Sequence, residues 1–183
     1  MNMWMPEPDI CAWIRSKYRY EALTGKIFFV SGRCAGQEPS VNVNEDGYER
    51  VALKNTKLGI SSYVLVHRLA WFLYHGEFPA SQVDHEDRVR TNHRIANLRL
   101  ATSGQNRGNT EKQSHNRGRL CTSAYKGVYW IQRIQKWKAT ISHDGSSIHL
   151  GVFDSEIEAA KAYNTAAKAT FGEFACLNEG LPF

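Results

Sequence analysis

The stretch QVDHEDRVRTNHRIANLRLATSGQN, from Gln82 to Asn106, gathers an Asp-His doublet, an Asn before Leu and a further Asn within one short polar run. Hydrolysing a phosphodiester takes a base to activate water, a cation to neutralise charge on the phosphate and leaving oxygen, and a group that holds the base in place. Each part has a candidate here. His85 can be the base, Asp84 can bind a hard divalent cation through oxygen, and Asn97 or Asn106 can orient or ligate. Adjacent residues of a regular strand point to opposite faces, so Asp84 and His85 serve one pocket only if the strand ends or bends there.

Immediately upstream lies VHRLAWFLYHGEFP, where Val66, Leu69, Ala70 and Leu73 recur at helical spacing and Gly76 and Pro79 follow. The pattern predicts a buried helix with a stop. Further upstream, IFFV ending at Ser31-Gly32 and YERVAL following Asp46-Gly47 read as short strands in hairpins.

Downstream, Ser103 to Thr122 is rich in Ser, Gly, Asn, Gln and Arg, and its later part reads as a linker. A boundary near Arg117 to Cys121 divides the chain into domains 1–117 and 118–183. In QKWKATIS, Trp137, Ala139 and Ile141 alternate with polar residues, which predicts a strand with one apolar face. Asp144-Gly145 marks a hairpin turn, and SIHLGVF continues with Ile148, Leu150 and Val152 inward and Ser147 and His149 outward. With a strand in YKGVYWI this makes a three-stranded antiparallel sheet. Ser155 and Glu158 read as a capping box, opening a helix that runs to Gly172. Its Ala159, Ala162, Ala166 and Ala169 form a narrow stripe for packing on the sheet.

The composition, 42% hydrophobic and 22% charged, is that of a globular protein with a core. No run approaches the roughly 18 apolar residues of a membrane span, and Met1 to Ile10 lacks the pattern of an export signal. The expectation is a soluble protein without a membrane partner. Net charge is only +5, yet Arg88 to Arg119 holds eight Lys or Arg against one acid, Glu111. That local field attracts a polyanion. Cys11, Cys34, Cys121 and Cys176 lie far apart without a C-x-x-C pair, which indicates reduced thiols rather than a zinc knuckle or disulfide framework.

With VHRLAWFLYHGEFP before it, the Gln82–Asn106 segment resembles the HNH nucleases of phages and mobile introns over roughly Tyr20 to Asn109. The Asp-His doublet, the Asn before Leu twelve positions on and the Asn nine beyond that match the H-N-N subtype. The resemblance implies His85 as general base, Asp84 as the metal ligand beside it and Asn97 as the Asn that fixes the base. It implies Asn106 as second metal ligand, with one Mg²⁺ or Mn²⁺ ion per site. His67 matches the His of the family's HRL motif, and its place on an apolar helix suits structure or phosphate contact better than catalysis. Two departures stand out. Arg88 replaces the usual Gly three residues after the catalytic His, and since Arg resists positive φ the loop is expected to be reshaped. His93 replaces the usual second Asn and is expected at the surface.

From Ala124 to Asn178 the KGV start, WKATI, HLGVF, EAAKAYNTAA and GEFACLN are similar, in order, to the ethylene-response-factor or APETALA-type DNA-binding domain. That resemblance implies a sheet whose outer face enters the major groove of duplex DNA. Here the face offers Lys126, Tyr129, Arg133, Lys138, Thr140, Ser142, Ser147 and His149. The arginines that would read guanine are mostly missing, so the family's GC-rich preference is not carried over.

Together these readings predict an α+β protein: a ββα-metal nuclease domain, then a small three-stranded sheet with a helix. The expected function is metal-dependent, site-selective cleavage of double-stranded DNA, as in homing endonucleases, in the cytoplasm of a bacterial host if the gene is carried by a phage. The alternatives are a DNA-binding regulator with an inactive nuclease half and an RNA-binding protein.

Overall fold

The computed structural model describes residues 6–112, 114–116 and 119–181. The chain divides into two compact units, 1–101 and 102–183. The boundary expected between 117 and 118 falls on Arg117 and Gly118, outside the described residues. By compactness, however, Ser103–Gly108 already belongs with the second unit. Its Gly108 lies where a β-carbon would come within 2.7 Å of the Phe171 ring, and the Gly108 carbonyl accepts from Cys176 N–H.

The first unit opens with helix α1 (Pro8–Lys17), followed by the hairpin β1 (Tyr18–Glu21) and β2 (Lys26–Phe29). A three-stranded antiparallel sheet comes next, with β4 (Glu49–Asn55) between β3 (Val41–Val43) and β5 (Ile60–Leu65). Helix α2 (Val66–His75) begins directly after β5 and ends at Gly76, whose φ of 87° supplies the left-handed cap that glycine adopts without strain. The helix buries Val66, His67, Leu69, Ala70 and Phe72, while Leu73 of the expected stripe is half-buried. Ile14, Leu53, Leu69 and Phe72 are fully buried and form the centre of this core. Strands β6 (Gln82–His85) and β7 (Leu98–Ala101) then pair antiparallel, setting Asp84 opposite Arg99 and His85 opposite Leu98.

In the second unit, the short helix α3 (Ser103–Gly108) opens on a capping box. Thr102 Oγ1 accepts from Gln105 N–H, and the Gln105 side chain accepts from Thr102 N–H. The sequence carries this signature as T-S-G-Q. Two-residue strands β8 (His115–Asn116) and β9 (Arg119–Leu120) follow. The expected sheet is present, with β10 (Val128–Ile131), β11 (Lys136–His143) and β12 (Ser146–Phe153) in that spatial order.

Helix α4 (Glu156–Phe171) packs in the same cluster as the sheet, but two details differ from expectation. Ser155 caps by accepting from Ile157 N–H rather than through a reciprocal box with Glu158. The buried face is Ala159, Ala160, Tyr163, Ala167 and Phe171 rather than the alanine stripe; Ala162 and Ala166 are half-buried and Ala169 is exposed. A pure alanine face would leave too little to fill the space, and Tyr163 and Phe171 supply that volume.

The alternation in β12 also breaks. Ala139 pairs with Gly151 and Thr140 with His149, so Leu150 is an extra residue and a bulge reverses the parity beyond it. Val152, expected inward, therefore faces outward opposite Lys138 and is 44% exposed, and Ile148 at the sheet end is 46% exposed. Among the described residues no helix is long and apolar enough to cross a membrane.

Candidate active site

Strand β6 ends at His85, with both residues of the Asp-His doublet still paired in it. Both side chains are buried, with Asp84 5% and His85 3% exposed. They have different neighbours. Arg99 Nε donates to Asp84 Oδ2 at 3.1 Å across the β6–β7 pair. His85 sits among rings, 5.1 Å from His67 and 6.2 Å from Tyr48 between centroids. Burial, with the neighbouring His93 ring adding to it, pushes the His85 imidazole down to about 4. It is therefore neutral near pH 7, the form that can accept a proton.

The loop after His85 is tied together by Asn97. Its side-chain oxygen accepts from Asp87 N–H at 3.0 Å, and its amide donates to Asp87 Oδ1 and to the Asn92 carbonyl, both at 2.8 Å. Its own carbonyl accepts from Glu86 N–H at 2.9 Å. Asn92 donates in turn to Asp87 Oδ2 at 2.6 Å. Burial acts to raise the Asp87 carboxyl, but the bonds from Asn92, Val89 N–H and Asn97 outweigh it and hold the group below the usual carboxylate range. Asp87 and Asn92 thus belong to the loop's framework. The D-x-x-x-x-N spacing carried that signal only in hindsight.

The two departures from the family pattern resolve differently from expectation. Arg88 does adopt positive φ, at 65°, so the turn keeps the left-handed backbone a glycine would give; Arg88 N–H bonds the His85 carbonyl at 3.0 Å. His93 is not at the surface. It is 5% exposed, its Nδ1 lies 3.2 Å from His85 Nε2, and its Nε2 lies 2.8 Å from Glu49 Oε2. Burial lowers the His93 imidazole despite the opposing pull of Glu49. His67, 4% exposed with Nδ1 buried and unpartnered, is held well below its ordinary value by burial, then by His85, His93 and Arg68. Its burial accords with a packing role.

Residues 64–107 match the family model described as HNH endonuclease. Over that segment an HNH endonuclease domain is supported. An uncharacterized HNH endonuclease of Acanthamoeba polyphaga mimivirus is 34% identical over 116 residues, which cover 62% of this chain and 57% of that protein. The chain therefore spans less than two thirds of that relative's length. Among solved structures, that of the HNH homing endonuclease I-HmuI, described for DNA binding and cleavage, is 28% identical, with a TM-score of 0.37 and 47% of each chain covered. In the first unit, the residues around the site that sequence reading missed are Glu49, Asp87, Asn92 and Arg99, and His93 was expected at the surface instead of beside His85.

Among the described residues no cluster of three or more His, Cys, Asp or Glu is arranged to hold a metal ion. The oxygen donors expected from the HNH pattern are Asp84, in the first unit, and Asn106, on α3 in the second. A carboxylate and an amide oxygen suit a hard divalent cation in type.

In the second unit, strand pairing places Tyr129 beside Lys138, Thr140 beside His149 and Ser142 beside Ser147. These six share one face of the sheet, and Lys138 Nζ lies 5.7 Å from the Tyr129 ring centre. Arg133 is exposed in the β10–β11 turn. Lys126 stands apart from the face. Its ammonium donates to the carbonyls of Gly108 and Thr110, and its backbone is clasped by Asn178.

Proposed function

We propose that this chain hydrolyses phosphodiester bonds in duplex DNA with the help of one divalent ion, Mg²⁺ or Mn²⁺, and that it selects its sites as homing endonucleases do. The observation that carries the reading is His85: a buried, neutral imidazole at the end of β6, inside the segment that matches the HNH endonucleases. His85 takes a proton from water, and the water oxygen attacks phosphorus in line with the leaving 3′ oxygen. Asn97 holds the loop that follows the base. Asp84 and Asn106 are the residues that would hold the ion, which when bound neutralises charge on the phosphate and the leaving oxygen.

The outer face of the β10–β12 sheet is the second DNA contact in this reading, with Tyr129, Lys138, Thr140, Ser142, Ser147 and His149 toward the duplex and Arg133 at its edge. Lys126 holds α3 instead. The test is supercoiled plasmid incubated with protein and Mg²⁺ or Mn²⁺, with and without EDTA. Nicked or linear product that EDTA abolishes is the expected result. Binding without cleavage under every divalent ion tried would give the chain to the regulator reading instead.

A further inference from the structure

Glu49, His93 and His85 form a continuous line of hydrogen bonds drawn from β4, the loop and β6. An ionised carboxylate only accepts, so the proton between Glu49 and His93 sits on His93 Nε2. A neutral imidazole carries one proton, and His93 is buried where the charged form is disfavoured. Its Nδ1 is then the accepting lone pair. The donor in the 3.2 Å contact must be His85 Nε2. That leaves the lone pair of His85 on Nδ1.

The position of His93 is itself fixed from several sides. Tyr20 OH donates to the His93 carbonyl at 2.6 Å. Gly25, with φ of 77°, lies so close that a β-carbon there would come within 2.7 Å of the His93 carbonyl carbon. The Glu49 side chain is 23% exposed and that of His93 only 6%, so the carboxylate reaches the ring from the wetter side.

We infer that Glu49 and His93 are positioning residues for the base, fixing His85 as the Nε2–H tautomer so that Nδ1 is the atom that takes the proton from water. The inference rests on the reading of His85 as base. It also gives a role to the histidine that departs from the family pattern. A carboxylate that orients a histidine through a second histidine does for this site what a single directly bonded acid does elsewhere.

The test combines a tautomer readout with kinetics on the full chain. Two-bond ¹H–¹⁵N spectra of histidine-labelled, metal-free protein should show Nε2–H tautomers for both His85 and His93. Glu49→Gln keeps shape but can donate to His93, so it should populate the Nδ1–H form of His85. Plasmid cleavage should then fall on the order of tenfold or more in kcat, with DNA affinity within about twofold. A merely space-filling role would leave this near-isosteric variant at parent level. Should Glu49→Gln fail to fold, His93→Phe, which keeps a ring but offers no acceptor to His85 Nε2–H, serves in its place and should likewise lower kcat and weaken the Nε2–H preference of His85. An Nδ1–H tautomer for His85 in the parent overturns the inference, as do unchanged spectra and kcat in the variants. If the parent keeps both Nε2–H tautomers yet cuts nothing with any divalent ion, the base reading falls, and with it the positioning role; the order of the hydrogen bonds stands.

Discussion

At Arg88 the chain puts a β-carbon where the backbone has φ of 65°. Left-handed backbone costs a non-glycine residue roughly 1–2 kcal/mol, while glycine loses roughly 0.5–1 kcal/mol more conformational entropy on folding. Arg88→Gly should therefore stabilise the protein by about 0.5 kcal/mol, read from urea denaturation; a loss of stability would mean that contacts of the arginine side chain outweigh the strain. For the chemistry itself, His85→Ala should abolish plasmid cleavage at every metal concentration while DNA affinity stays within about threefold. Asp84→Ala should also abolish it, with partial recovery in excess Mn²⁺ because the lost group is a ligand and not the base. Full cleavage by His85→Ala would remove the base assignment. Asp84, His85 and Asn97 were legible because their spacing along the chain matches a pattern. Glu49 and His93 were not, because their 2.8 Å contact joins positions 44 residues apart and no local pattern records it.

Helix α2 carries His67 into a site already lined by His85 and His93. The folded-state value of each imidazole is lowered, so between those values and the unfolded value near 6.5 the unfolded chain binds protons that the folded chain refuses. Their contribution to stability is complete above about pH 6.5 and is lost as pH falls below it, at up to about 1.4 kcal/mol per pH unit for each site. Melting temperature measured from pH 8 to pH 5 should drop across that window, and His67→Leu should make the drop shallower. An unchanged slope would show that His67 is not among the groups responsible. In the second unit the strands and α4 were legible from alternation and turn residues. The bulge at Leu150 was not, since an extra residue shows only against a partner strand. It puts Val152 on the face with Lys138, so Val152→Lys should be tolerated structurally and, on the DNA-contact reading, should raise affinity and steepen its salt dependence. Affinity unchanged at low salt would count against that face.

Taken whole, the chain was readable as an α+β protein of two parts, but the sequence put the boundary in the later, linker-like part of Ser103 to Thr122, whereas by compactness the second unit includes α3. Its Gly108 rests on Phe171 and its end is held by Lys126. Removing residues 124–183 should thus do more than weaken DNA binding: it strips the supports of the helix that carries Asn106. Cleavage should fall with affinity, and Phe171→Ala in the full chain should lower cleavage more than it lowers binding. Equal losses of both would separate α3 from the chemistry. The hold on His93 has a further consequence for biosynthesis and for transplantation. Tyr20, 73 residues before His93, and Gly25 and Glu49 all precede the segment 64–107 that matches the HNH endonuclease family model. The ribosome therefore releases the cradle well before the residue it receives. A gene fragment trimmed to the recognisable motif would carry the base into a new host protein without the surface that tells its ring which way to face.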